Sequence, residues 1–244
     1  MMIQTVSRIT LAALAFTASA AFAASLTGSG KSATETRAVS GFNGIGFSVP
    51  GQLELSQGDQ ESLVITADDN VLPEVETVVE KGMLKIRFRK EKLYTSNVTI
   101  RIKVTARTLE HVSVGGSGDI RAGALKLGKL SLSVGGSGNI VIESLVATDL
   151  SAQVGGSGNI TVKGGNTDTL NASIGGSGNV VASRLAARRA SVNVGGSGNA
   201  GVWASESLSA NVAGSGNVTY YGDAKVSRAI VGSGEVKRLG ASPS

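Results

Sequence analysis

Along most of this chain apolar and polar residues take turns, one for one. Leu150-Ser151-Ala152-Gln153-Val154 is a clear case, and MLKIRFRK and NVTIRIKVTAR repeat it upstream. Successive side chains of an extended strand point to opposite faces, so the alternation predicts strands with one buried face. Shorter strands are expected over 44–49, 52–57 and 62–67. One stretch breaks the pattern. TADDNVLPEVETVVEKG reads as a turn, then a short helix from Pro73 to Glu80 ended by Gly82.

From residue 114 the alternation acquires a longer period. The heptad VGGSGDI returns as VGGSGNI (twice), IGGSGNV, VGGSGNA, VAGSGNV and IVGSGEV. Its serines, Ser117, Ser137, Ser157, Ser177, Ser197, Ser215 and Ser233, are spaced by 20 four times and then by 18 twice. The residues between align as well: Leu130, Leu150, Leu170, Ala190 and Leu208 form one column, Leu132, Ala152, Ala172, Val192 and Ala210 another. A lone unit of this size cannot bury its apolar face, whereas stacked units turn each column into a continuous ladder. The expected fold class is therefore all-β: a right-handed parallel β-helix, or β-solenoid, with coils of about 20 residues stacked about 4.8 Å apart. Less regular N-terminal coils with one short helix precede the repeats.

The small residues of GGSG[DN] then serve as structural turns: Gly116, Gly118, Gly136, Gly138, Gly156, Gly158, Gly176, Gly178, Gly196, Gly198, Gly214 and Gly216, with Asn139, Asn159, Asn179, Asn199 and Asn217. Glycine enters the left-handed region freely and asparagine tolerates it next best, so positive φ is the expected reason for both. Stacked asparagines should also form an amide ladder. Chemical readings of the same glycines fail on spacing. A phosphate loop needs a lysine after its last glycine, and a dinucleotide fingerprint must open a helix. The calcium nonapeptide wants an aspartate where this chain has Ile120, Ile140, Ile160 and Val180. No cofactor and no metal are implied.

The first residues change the picture of where the chain works. One cation (Arg8), an apolar run from Ile9 to Ala18 and Ala21-Phe22-Ala23 before Ala24 make residues 1–23 a secretory signal peptide. That run is too short to span a membrane as a helix, and no later stretch is long enough. No cysteine follows the small residues, so no lipid anchor is expected. The organisation read from the sequence is signal peptide 1–23, flexible lead 24–36, a single solenoid domain 37–238 with repeats over 114–236, and a tail 239–244. With Arg8 removed, 22 basic residues face 18 acidic ones, a mild excess, and the chain has no cysteine. Disulfides and thiolate metal sites are excluded. Export points to the periplasm, or to the cell surface or exterior.

Two surfaces are candidates for binding. Lys85, Arg87 and Arg89 lie opposite the apolar residues of one strand, and Arg101, Lys103 and Arg107 opposite those of another. If these strands are neighbours, six cations share one face that attracts an anionic polymer, or else forms a charged edge that discourages strand pairing. Nucleic acid is not expected, because no aromatics are interleaved with the cations. In the repeats, His111, Ser131, Ser151, Asn171, Ser191 and Ser209 occupy equivalent outward positions, a neutral strip suited to hydrogen-bonding a glycan or another repetitive cell-surface polymer, or simply to facing water.

Catalysis finds little support. The acids of the repeats, Asp119, Glu143, Asp149, Asp168, Glu206, Asp223 and Glu235, mostly fall at different repeat positions, so stacking should scatter them, and His111 is the only histidine. The expectation is a non-catalytic binding, adhesion-type or structural module, with a polysaccharide-active lyase or hydrolase as the alternative. RAVSGFNGIGFSVPGQLELSQGD, VEKGMLKIRFRK and LEHVSVGGSGDI resemble the bacterial head GIN domain family of auto-transporter adhesins, over roughly residues 37–220. The resemblance implies an exported, mostly β-helical adhesion module and supplies no catalytic residue. An auto-transporter carries a membrane barrel, and none is expected here, since EVKRLGASPS follows directly on the last coil.

Overall fold

The computed structural model describes residues 27–89 and 98–243; the expected signal peptide lies outside them. The N-terminal strands are β1 (Ser32–Arg37), β2 (Gly44–Phe47), β3 (Gln52–Gln57), β4 (Ser62–Asp68), β5 (Val75–Glu80), β6 (Met83–Phe88) and β7 (Arg101–Ala106). The repeats supply β8 (His111–Val114), β9 (Asp119–Lys126), β10 (Lys129–Val134), β11 (Ile140–Val154), β12 (Asn159–Val162), β13 (Gly165–Ile174) and β14 (Asn179–Val194). They end with β15 (Ala200–Gly214), β16 (Val218–Tyr221), β17 (Lys225–Gly232) and β18 (Val236–Gly240). The chain is a β-solenoid of about six turns with coils of roughly 20 residues.

Three faces wrap the core. The first stacks β6, β2, β8, β10, the later parts of β11, β13, β14 and β15, and β17, all in parallel. The second stacks β7, β3, β9, the start of β11, β12, the starts of β14 and β15, then β16 and β18. The third is a short side that begins at Ala124–Lys126 and continues through Leu145, Gly165 and Leu185. Equivalent letters meet as expected: Leu132, Ala152, Ala172, Val192 and Ala210 stack in register and are buried. Spatial order departs from chain order at the start. The β2–β3 coil is inserted between the β6–β7 coil and the β8–β9 coil.

The expected strands at 44–49, 52–57 and 62–67 appear as β2, β3 and β4. The expected helix does not form beyond a single 3-10 turn at Leu72–Glu74; the rest is β5, paired antiparallel with β6. Val75, Thr77, Val78 and Val79 are stiff, strand-favouring residues, and the open edge of β6 offers them a ladder. Lys81 and Gly82 both adopt positive φ (51° and 76°), the pair of left-handed residues a two-residue hairpin needs. Part of the expected flexible lead is also ordered: β1 pairs antiparallel with β4, which itself covers β7. The N-terminal end is thus closed by antiparallel strands that leave less of the sheet edge open.

The repeat glycines are where they were expected, for a different reason. Among the described residues Lys81 is the only non-glycine at positive φ, and of the turn glycines named above only Gly214 lies in that region. What all the others but Gly116 provide is clearance. A Cβ on Gly138 would stand 1.9 Å from the Gly118 carbonyl oxygen, and one on Gly158 1.8 Å from that of Gly138. The same holds at Gly136, Gly156, Gly176, Gly178, Gly196, Gly198 and Gly216, each pressed on the coil before it. The asparagine ladder is present. Asp119 Oδ1 accepts hydrogen bonds from the backbone N–H and the Nδ2 of Asn139, and the pattern repeats through Asn159, Asn179, Asn199 and Asn217.

Candidate binding face

Strand alternation puts every second residue of the first face outside, and the parallel register lines these residues up. His111 stands beside Ser131, Ser131 beside Ser151, Ser151 beside Asn171, Asn171 beside Ser191 and Ser191 beside Ser209. Five steps of about 4.8 Å make a strip about 24 Å long. Alongside runs Ser113, Ser133, Gln153, Ser173, Asn193 and Asn211, with an Asn211 Nδ2 to Asn193 Oδ1 bond of 2.9 Å. Gly44 and Gly46 extend both rows beyond His111 and Ser113.

The strip is not flat throughout. His111, Ser131, Ser151 and Asn171 line a hollow of about 250 Å³, whose other rim carries Glu110, Lys129 and Asp149. Lys129 and Asp149 are register neighbours, followed by Thr169 and Arg189, so charges of both signs run beside the neutral row. These flanking charges were missed in the sequence. Their signal was present, since they precede the Leu130 and Leu150 positions of the repeat by one residue.

The six cations do not share one face. β6 belongs to the first face and β7 to the second, each stacked on a different strand of the inserted coil. The cations on and just after β6 also have close partners. Lys85 meets Glu80 at 2.5 Å, Arg87 meets Glu76 at 2.8 Å, and Arg89 donates to the Pro73 carbonyl. The Lys85 hydrogen bond and charge hold the Glu80 carboxyl below its usual range, and Glu76 pushes the Arg87 guanidinium up. Lys103 stands 3.5 Å from Glu54, Arg107 donates to the Asp59 carbonyl, and Arg101 lies beside Gln52. The result is a mixed-charge surface. The acids are also less scattered than expected, because Asp168 and Glu206 both approach Arg188, at 3.7 and 2.7 Å. The guanidinium between them pairs with both carboxylates, each of which stays about half exposed. Among the described residues no group of three His, Cys, Asp or Glu side chains stands close enough to hold a metal ion.

The family model described as "Putative auto-transporter adhesin, head GIN domain" matches residues 41–224. The chain belongs to this family. The head GIN domain here therefore spans all three faces, from the inserted β2–β3 coil to the coil of β16. No curated protein matches the sequence. Among solved structures, a putative adhesin from Bacteroides fragilis is 27% identical, with a TM-score of 0.84 over 88% of this chain and 100% of that one. A putative lipid binding protein from Parabacteroides distasonis is 28% identical, TM-score 0.75, with the same coverage. A putative adhesin from Parabacteroides merdae is 26% identical, TM-score 0.71, over 88% and 99%. Among the described residues no helix is long and apolar enough to cross a membrane.

Proposed function

We propose that this head GIN domain is an exported, non-catalytic module of the cell envelope that binds a glycan along the polar strip of its first face. One observation carries the reading: a repeated row of hydroxyl and amide side chains, set at a fixed interval, borders a hollow. Repeating ligands are read by repeating surfaces, and hydroxyl and amide groups can donate and accept toward sugar hydroxyls. The neutral strip, rather than the mixed-charge N-terminal surface, favours a neutral stretch of glycan. The adhesin names borne by the family and by two of the structural relatives support binding over catalysis. The pairing of Asp168 and Glu206 with Arg188 disfavours the polysaccharide-cleaving alternative, because a guanidinium beside both carboxylates favours their charged form over the proton-donating one.

The test is a glycan array probed with the mature protein and with a triple Ser131→Val, Ser151→Val, Asn171→Val variant. Valine keeps the strand propensity and removes the hydrogen-bonding groups. At about 1 kcal/mol for each lost hydrogen bond, affinity should fall at least tenfold. An array on which the mature protein binds nothing, or one on which the triple variant binds equally well, rejects the reading.

A further inference from the structure

The chain has one tryptophan, and it faces outward. Val202 and Ala204 on either side of Trp203 are fully buried, so strand alternation directs the indole away from the core. It sits where the repeat contracts from 20 to 18 residues. Ala182 pairs with Val202 and Ala186 with Trp203, so Ser183, Arg184 and Leu185 have no counterparts in the next coil. The surface steps at this corner. On one side the indole is close to Gly222, where an added Cβ would stand 3.3 Å from its ring. On the other side it borders a hollow of about 250 Å³, lined also by Asn166, Asp168, Ala186, Arg188 and Ser205.

The shape of this hollow follows from the register. Asn166, Ala186 and Trp203 are consecutive outward neighbours on three stacked coils. The small Ala186 leaves a slot between an amide and an indole whose strands lie two coil steps, about 9.6 Å, apart. Along the next outward row Asp168, Arg188 and Glu206 hold one another in an ion-pair ladder, with Arg188 Nε donating to Glu206 at 2.8 Å. Arg189 adds a bond to Thr169 at 3.0 Å. The charges of the rim are thus matched.

We infer that the Trp203 hollow is a second glycan subsite, on the third face, for a single neutral sugar ring. A pyranose presents C–H groups on one side and hydroxyls around its edge. The C–H groups suit the electron-rich face of an indole, and the hydroxyls suit Asn166, Ser205 and the ordered charges of the rim. The matched charges select a neutral ring over a uronic acid. The inference rests on the glycan-binding reading, but it concerns residues that the strip does not use.

Trp203 is its own reporter, because all tryptophan emission of the protein comes from it. The mature protein is titrated with chitotetraose, cellotetraose, maltotetraose and mannotetraose, and with tetragalacturonate as the acidic control. Emission is followed in parallel with calorimetry. At least one neutral tetrasaccharide should change the emission saturably. Trp203→Ala and Ala186→Gln should each weaken its binding at least tenfold, while Trp203→Phe stays within about threefold. Ala186→Gln fills the slot while keeping the indole, so it tests the site even if Trp203→Ala misfolds. Calorimetric binding with unchanged emission, or binding that survives both variants, overturns the subsite and leaves the strip reading standing. A response to tetragalacturonate alone overturns the neutral class. An absence of binding to every sugar overturns subsite and strip together.

Discussion

A single methyl group separates tolerated from ruinous changes in the repeats. Gly155 and Gly158 belong to the same heptad and neither has positive φ, yet a Cβ on Gly155 meets nothing within 4 Å while one on Gly158 strikes the Gly138 carbonyl. Gly158→Ala should destabilise the protein by about 2–3 kcal/mol, the upper range for overpacking, and Gly155→Ala by less than about 0.5 kcal/mol. Chemical denaturation of the two variants decides this. Equal losses would mean that stacking clearance does not set the cost. The positions of these glycines were plain in the sequence, but their physical reason was not. Periodicity shows that a residue must be small; it does not show whether the backbone dihedral or the neighbouring coil demands it.

At the scale of elements, legibility followed the regularity of the pattern. Where columns repeat, as from Leu130 to Leu208, register could be read directly, and so could the polar strip from His111 to Ser209. Before residue 110 it could not. Nothing in MLKIRF announces that β6 stacks on β2 rather than beside β7, because that choice depends on the tertiary insertion of one coil. Pro73 and Glu74 suit a helix start, and only the waiting edge of β6 turns the following valines into β5. The β5–β6 hairpin also carries a pH dependence. Glu80 has its folded pKa lowered by Lys85, so its contribution is complete above the ordinary carboxylate range and is lost as pH falls through the folded value. Protection of the β5 amides, corrected for intrinsic exchange, should therefore drop as the solution is acidified below about pH 4. Glu80→Gln should be less protected at neutral pH and lack that drop. A wild-type hairpin insensitive to acid would show that its strand pairing, not the ion pair, holds it.

On the scale of the whole molecule, stability is close to a sum over neighbouring coils. The N-terminal end is covered by β1, β4 and β5, whereas β17 is exposed along its full length and carries Arg228 in register with the buried Ala210. The asparagine ladder crosses this stack with one rule at every rung: each side chain asks only that another asparagine, or Asp119, precede it. Such a rule is modular. It does not count, so it neither fixes the number of coils nor notices an extra one. Duplicating residues 140–159 in tandem should therefore lengthen the protein by a single increment of about 4.8 Å, with thermal stability kept or raised, as scattering and melting would show. The length of this molecule is then a free variable of its gene, and its reach can be changed without redesigning any interface.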